Sequence, residues 1–275
     1  MPAEAQGSTK VTTVRLGRMK QRAERIVCLT AYDFPTALIL DEVGVDLILV
    51  GDSAANVVYG MSTTLTIGME EMLYHTRAVA AGVKRALVVA DMPFLSYQVS
   101  VEQAVANAGR FLQAGAEAVK VEGAGPVVPV IKRLVDLGIP VMGHLGLTPQ
   151  SVHKLGGYRL QARKAGDQER LLADAHAIAD AGCFSLVLEK VPAEVAKRVT
   201  EALAIPTIGI GAGPNCDGQV LVLHDMLGMF DTPPLKFVKQ YAGLSAEIRK
   251  AVAAYSEEVR SGKFPSEEHT FHVEK

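Results

Sequence analysis

Leu47-Ile-Leu-Val-Gly-Asp52, Ala86-Leu-Val-Val-Ala-Asp91, Ala118-Val-Lys-Val-Glu122 and Ser185-Leu-Val-Leu-Glu189 share one pattern, a short apolar run that ends in a carboxylate. A fifth run, Val141-Met-Gly-His144, ends in histidine. Strands buried on both faces of a parallel sheet read as continuous apolar runs. A charged residue at the end of such a run leaves the apolar layer where strand meets loop. Repeated around a closed parallel barrel, the pattern gathers acids at the C-terminal mouth, where such folds keep their chemistry. Crowded acids repel one another, so they require a cation or shared protons.

Working outward, β-type runs begin near Ile26, Asp46, Arg85, Ala118, Pro140, Phe184 and Pro206, with a weaker one near Gln219. Helical patterns lie between them over Pro35–Val43, Thr66–Gly82, Ser100–Gly115, Val127–Leu137, Gln168–Ala181 and Pro192–Leu203. Ser100 supplies a capping side chain, and Gly115, Gly138 and Gly182 stand where helices end. Eight strands alternating with helices predict an α/β fold, a (β/α)₈ TIM barrel, as a single domain over 1–275. An open doubly wound sheet is the alternative. The length of 275 residues favours the barrel, which takes about 250. Residues 1–13 read as a mobile polar segment. The basic stretch Arg15–Arg25 reads as an additional, solvated N-terminal helix. Gly146–Ala165 reads as a long loop without helix after the fifth strand, on the active-site side. Lys236–Ser261 reads as a long amphipathic helical region.

Composition narrows the function classes. Hydrophobic residues are 49% and charged residues 21%, enough for a large core. Lys plus Arg total 28 against 30 Asp plus Glu, a net charge of −2, which offers nothing to nucleic acid or to a charged membrane. No apolar run approaches the roughly 20 residues of a membrane span. Cys28, Cys183 and Cys216 are sparse, odd in number and without a CxxC. They suit small buried side chains in a reducing cytoplasm.

Asp52 and Asp91 are the foremost metal candidates, since hard oxygen ligands suit Mg²⁺ or Mn²⁺. Their alternative role is to cap the next helix or turn. Glu122 joins them on the same rim. Lys120 and Glu122 are two apart on one strand and share a side, which the valines between and before them leave to the barrel interior. A lysine there can bind a carboxylate or polarise a carbonyl; the alternative is a structural ion pair. Glu189 offers a general base, or else a helix-start acid before Pro192. His144 stands at a strand end within reach of a substrate, or is a satisfied core histidine. Gly209-Ile-Gly-Ala-Gly213 does not fit a dinucleotide fingerprint, because Pro214 occupies the sixth position. It reads as a ligand-approach loop or a tight turn. His269 and His272 could ligate metal, against a packed or solvated tail.

In order along the chain, these residues resemble the ketopantoate hydroxymethyltransferase family. The motifs that carry the resemblance are Leu29-Thr-Ala-Tyr-Asp33, Val50-Gly-Asp-Ser53, Ala90-Asp-Met-Pro-Phe94, Val119-Lys-Val-Glu-Gly123, Gly143-His-Leu-Gly-Leu-Thr-Pro-Gln150, Gly156-Gly-Tyr158 and Gly209-Ile-Gly-Ala-Gly213. The resemblance implies a Mg²⁺-dependent barrel enzyme of pantothenate biosynthesis. It would transfer a hydroxymethyl group from 5,10-methylenetetrahydrofolate to 3-methyl-2-oxobutanoate, giving 2-dehydropantoate (ketopantoate). It further implies that Asp52 and Asp91 hold the metal with Glu122, that Asp52, Ser53, Asp91 and Lys120 contact the keto acid, that Glu189 accepts the proton and that His144 lines the pocket. A homo-oligomer, commonly a decamer, is implied as well. The chain departs from the family pattern at Ala54-Ala-Asn-Val-Val-Tyr59, Thr66-Ile-Gly-Met69 and Ala124. The competing reading is another Mg²⁺-dependent 2-oxo-acid C–C bond enzyme of the phosphoenolpyruvate/isocitrate lyase type. The K-[KR]-C-G-H motif those lyases tend to carry is missing here.

Overall fold

The computed structural model describes residues 9–231 and 233–273. The chain falls into two compact units, Met1–Val222 and Leu223–Lys275.

The first unit contains eight strands, β1 (Ile26–Thr30), β2 (Leu47–Val50), β3 (Leu87–Asp91), β4 (Ala118–Glu122), β5 (Val141–Gly146), β6 (Ser185–Glu189), β7 (Thr207–Ile210) and β8 (Gly218–Leu221). They close in sequence order into a barrel in which every pairing is parallel. Its helices are α1 (Thr13–Gln21), α2 (Phe34–Val43), α3 (Ala54–Val57), α4 (Met69–Gly82), α5 (Val101–Gln113), α6 (Val128–Asp136), α7 (Val152–Leu155), α8 (Ala165–Asp180) and α9 (Ala193–Ala202). Ser100 Oγ accepts from Gln103 N at 3.2 Å, the expected cap of α5. Asp33, within one of the family-like motifs, is likewise a cap, accepting from Thr36 N at the start of α2.

The barrel interior follows the two-residue period of a strand. Leu47 and Leu49 on β2, Leu87 and Val89 on β3, Ala118 on β4 and Met142 on β5 all belong to one buried apolar cluster. One step further along the same faces stand Asp91, Lys120 and Glu122, and His144. The barrel is therefore apolar at its N-terminal end and ionic at its C-terminal mouth.

The N-terminal segment differs from its expected state. Residues 1–8 lie outside the described residues, but the mobile segment does not extend to residue 13. Val11 is fully buried and its N–H donates to Arg85 O at 2.7 Å. Nor is α1 merely solvated. Leu16 and Met19, one helical turn apart, join Val11 in the same interior cluster and seal the barrel's N-terminal end. Short strands leave that end open, so apolar side chains from the preceding segment fill it. The Gly146–Ala165 segment also contains more structure than its polarity suggested. A 3₁₀ turn at Pro149–Ser151 runs into α7, and α8 begins at Ala165, three residues before its expected start. The proline at the first position of the 3₁₀ turn has the φ angle that such a turn needs.

The second unit holds α10 (Leu223–Met226), α11 (Leu244–Arg260) and a 3₁₀ turn at Glu267–His269. The expected helix over Lys236–Ser261 forms only from Leu244, with Gly243 at its N-cap. Asp231 is tied to α11 by Arg249 and by Ser245 Oγ. His269 bonds Ser266 and His272 pairs with Glu267, so both tail histidines are engaged locally. No helix among the described residues is long and apolar enough to cross a membrane.

Candidate active site

The barrel register builds the mouth. Asp91 lies beside Lys120 across β3 and β4, and Glu122 beside His144 across β4 and β5. Register partners face the same side of a sheet, so one interior face on β4 brings all four together. Lys120 Nζ lies 3.1 Å from Asp91 Oδ1 and 3.9 Å from Glu122 Oε1. His144 bridges two carboxylates, with Nδ1 3.2 Å from Glu122 Oε1 and Nε2 3.3 Å from Glu189 Oε2. Asp52 enters from the end of β2, its backbone N–H donating to Asp91 Oδ2 at 3.0 Å. Ser53 Oγ bonds Tyr32 OH at 2.8 Å. All six residues expected at the site from their sequence positions as substrate or metal contacts (Asp52, Ser53, Asp91, Lys120, Glu122, His144) and the expected base Glu189 therefore stand on adjoining strand ends.

Two glycines permit this geometry. Gly146 (φ +90°) carries the chain against β6, where a Cβ would lie 2.2 Å from Glu189 O. Gly213 (φ +78°) passes α9, where a Cβ would meet Ala193 at 2.5 Å. The Gly209–Gly213 loop is accordingly a close-packed turn.

Burial and charge set the protonation states. Asp52 is pushed up to about 8 by burial, reinforced by the charges of Asp91 and Glu122. Asp91 is also raised, because burial outweighs Lys120 beside it. Burial opposes ionisation of Glu122 too, but the hydrogen bond and charge of His144, with Lys120 and Gln150 N–H, hold its carboxyl below the ordinary range. Burial and Lys120 both oppose charging of His144, yet its bonds to Glu122 and Glu189 raise it to about 9. The raised value favours a charged imidazole between the two carboxylates, with Lys120 Nζ 3.3 Å from Nδ1 on its other side. Lys120 is buried, but Asp91, Glu122 and Asp52 keep it charged.

Four carboxylates therefore share two cations, and the deficit falls on Asp52 and Asp91. Asp91 Oδ1 has no well-formed hydrogen bond and only the lysine facing it. These are hard oxygen donors, and Mg²⁺ needs only one or two of them, keeping its other positions for water and substrate. The pair fits such an ion, which would also draw Asp52 into its ionised form. Among the described residues, no group of three or more His, Cys, Asp and Glu side chains is arranged to hold a metal. Glu122, the third expected ligand, accepts from Gln150 N at 2.9 Å through Oε2, while its Oε1 faces His144 and, like Asp91 Oδ1, has no well-formed hydrogen bond.

A scan of known families matches residues 10–267 to ketopantoate hydroxymethyltransferase. The chain belongs to the ketopantoate hydroxymethyltransferase family. It is 56% identical over 264 residues to the 3-methyl-2-oxobutanoate hydroxymethyltransferase of Moorella thermoacetica, covering 96% of this chain and 98% of that one. It is 59% identical over 244 residues to the enzyme of the same name from Syntrophobacter fumaroxidans, covering 88% and 86%. The chain is accordingly an enzyme, a transferase of pantothenate biosynthesis. Its fold is shared more widely. Phosphoenolpyruvate phosphomutase from Streptomyces platensis subsp. rosaceus superposes with a TM-score of 0.62 at 15% identity, over 91% of this chain and 88% of that one. 2,3-Dimethylmalate lyase, a PEP mutase/isocitrate lyase superfamily member, does so at 0.60 and 18%, over 94% and 91%. At such identities the likeness is one of fold alone.

Within this ketopantoate hydroxymethyltransferase barrel the structure adds two residues that the site expectation lacked, Gln150 and Tyr97. Gln150 Nε2 donates to Asp52 Oδ2 at 3.0 Å and to Met92 O at 2.9 Å, while its Oε1 accepts from Tyr97 OH at 2.7 Å. Tyr97 OH in turn accepts from Glu122 N at 3.0 Å. The signal was present in Gly143-His-Leu-Gly-Leu-Thr-Pro-Gln150, whose last residue lies on the segment that folds back over the mouth. Gln150→Leu should destabilise the barrel by about 1–3 kcal/mol, since it strands buried polar groups on Asp52, Met92 and Tyr97. Urea unfolding measures this, and an unchanged midpoint would show that these bonds contribute nothing.

Proposed function

We propose that the chain transfers a hydroxymethyl group from 5,10-methylenetetrahydrofolate to 3-methyl-2-oxobutanoate, forming ketopantoate, with Mg²⁺ at Asp52 and Asp91. The observation that carries this reading is the ring Asp52–Asp91–Lys120–Glu122–His144–Glu189 at one barrel mouth, which pairs an acid-rich, cation-poor side with a rim carboxylate, Glu189, that faces only His144 at its other edge. Bound there, Mg²⁺ supplies polarisation of the keto acid as a Lewis acid.

The chain's own residues do the rest. Lys120, kept charged among acids, sits where negative charge develops on the keto oxygen as the enolate forms. Ser53, oriented by Tyr32, offers a hydroxyl to the substrate's carboxylate. Glu189 takes the C3 proton, leaving the electron pair of the broken C–H bond in the enolate. His144 holds Glu189 in orientation through Nε2. The enolate carbon then bonds the folate-borne methylene carbon, both of that carbon's bonds to nitrogen break, and water supplies its hydroxyl; the proton taken from C3 and the remaining proton of the water complete the two nitrogens of the departing tetrahydrofolate. Assembly into a homo-oligomer belongs to the same proposal. Ile248, Val252, Tyr255 and Val259 recur at helical spacing along α11 and are all exposed, the kind of stripe an assembly covers.

The direct test is ketopantoate formation from the two substrates. Excess chelator should abolish it and added Mg²⁺ should restore it. Undiminished turnover in chelator would remove the metal from this account. Cleavage of a larger 2-oxo acid without folate would favour the lyase-type chemistry instead.

A further inference from the structure

A cavity of 1080 Å³ opens from the mouth, with Glu122, Gln150 and Tyr97 at its buried end. That volume is slightly above the range that encloses drug-sized ligands, roughly 300–1000 Å³. Of the ring residues at the mouth only Glu122 lines it, so a five-carbon keto acid at Asp52, Asp91 and Lys120 sits at its inner edge and leaves the cavity open. That space is room for a much larger second molecule that must reach the same carboxylates. Leu145, Leu155 and Leu160 line the cavity as apolar surface.

The outer wall has a different character. Lys154, Arg159, Arg163 and Lys164 all line the cavity and all are exposed. Among the described residues none of these four cations is paired with an acidic side chain. Arg170, also on the wall, is paired with Asp167 at 3.0 Å, and Asp174 is the other acid there. The wall thus carries an excess of positive charge on a chain whose net charge is −2. Structural needs do not explain unpaired cations clustered around one opening.

We infer that this cavity takes the folate donor, and that Lys154, Arg159, Arg163 and Lys164 bind the carboxylates of its glutamyl tail. The inference rests on the transferase reading above. The donor is an elongated molecule with a flat ring system at one end and carboxylates at the other. Its one-carbon unit is on the ring end, which must face the enolate beside Glu189. The tail therefore points outward, where the cations stand. Charge-assisted bonds to carboxylates are the strong members of their class, and paired arginines give them geometric definition.

Calorimetric titration of tetrahydrofolate and of tetrahydropteroate, the same ring system without glutamate, tests this with Mg²⁺ and 3-methyl-2-oxobutanoate present. The wild type should bind tetrahydrofolate more tightly. The double variant Arg159→Gln/Arg163→Gln should lose about ten-fold in affinity for tetrahydrofolate, as expected for two solvent-exposed ion pairs, and under about two-fold for tetrahydropteroate. Lys132→Gln, which removes a cation from the Lys132–Asp136 pair on α6, serves as the charge control and should alter neither. Equal losses for the two ligands, no loss for tetrahydrofolate, or equal wild-type affinities would overturn the tail assignment. A wild type that binds neither ligand would overturn the folate reading itself.

Discussion

Glu189→Gln is expected to slow exchange of the C3 hydrogen of 3-methyl-2-oxobutanoate with deuterium oxide by roughly 10²–10⁴-fold, the loss typical of a missing general base. The argument is positional. Asp52 and Asp91 face each other, Lys120 and Gln150 in a closed network. Glu122 has both oxygens directed at partners. Glu189 is different, because it stands at the rim with 15% of its side chain exposed and a contact only to His144 Nε2 among the charged residues of the mouth. It is the carboxylate with an oxygen left for a substrate proton. Glutamine preserves its shape and its contact distance to His144 but removes the basicity. Affinity for the keto acid and for Mg²⁺ should change little. Proton NMR of the keto acid in deuterium oxide reads the exchange without the folate donor, so it isolates this step. Exchange near the wild-type rate would transfer the role of base to another group.

Lys120→Met should cost about 3–5 kcal/mol of stability, the range seen when one partner is removed from a buried ion pair. Lys120 and Asp91 side chains are each 4% exposed, and the lysine also faces Glu122 and Asp52. Methionine matches the stem and deletes the charge, leaving three buried carboxyl groups with His144 as their remaining cation. Denaturant unfolding should show the loss, and added Mg²⁺ should recover part of it by binding the carboxylates of the folded state alone. Product formation should fall as well, since Lys120 faces the developing enolate. A variant as stable as the wild type would mean that the lysine is neutralised or solvated in the native barrel.

The barrel was legible because its signal is local. Each strand is a run of four to six residues bounded by a charged or glycine residue, and the helices carry their own stops. The ionic mouth was legible for the same reason, since strand-end position and two-residue spacing alone place Asp91, Lys120, Glu122 and His144 on one face. What escaped depended on tertiary context. Val11, Leu16 and Met19 looked like isolated apolar residues in a basic segment, and only the open end of the barrel explains their burial. Gln150 lies 28 residues from Glu122 and 98 from Asp52 along the chain, so no spacing rule links it to either acid. The engagement of Glu122 Oε2 by Gln150 N was equally invisible, and it leaves Oε1 as the oxygen that faces His144 and the mouth.

The most direct test of the central claim is a crystal structure with Mg²⁺ and 3-methyl-2-oxobutanoate bound. The account predicts the ion against Asp52 and Asp91, the keto acid between it and Lys120, and the substrate's C3 about 3–3.5 Å from the Glu189 carboxylate, as a near-attack geometry requires. A keto acid bound with C3 turned away from Glu189, or a metal held outside the Asp52–Asp91 pair, would contradict it.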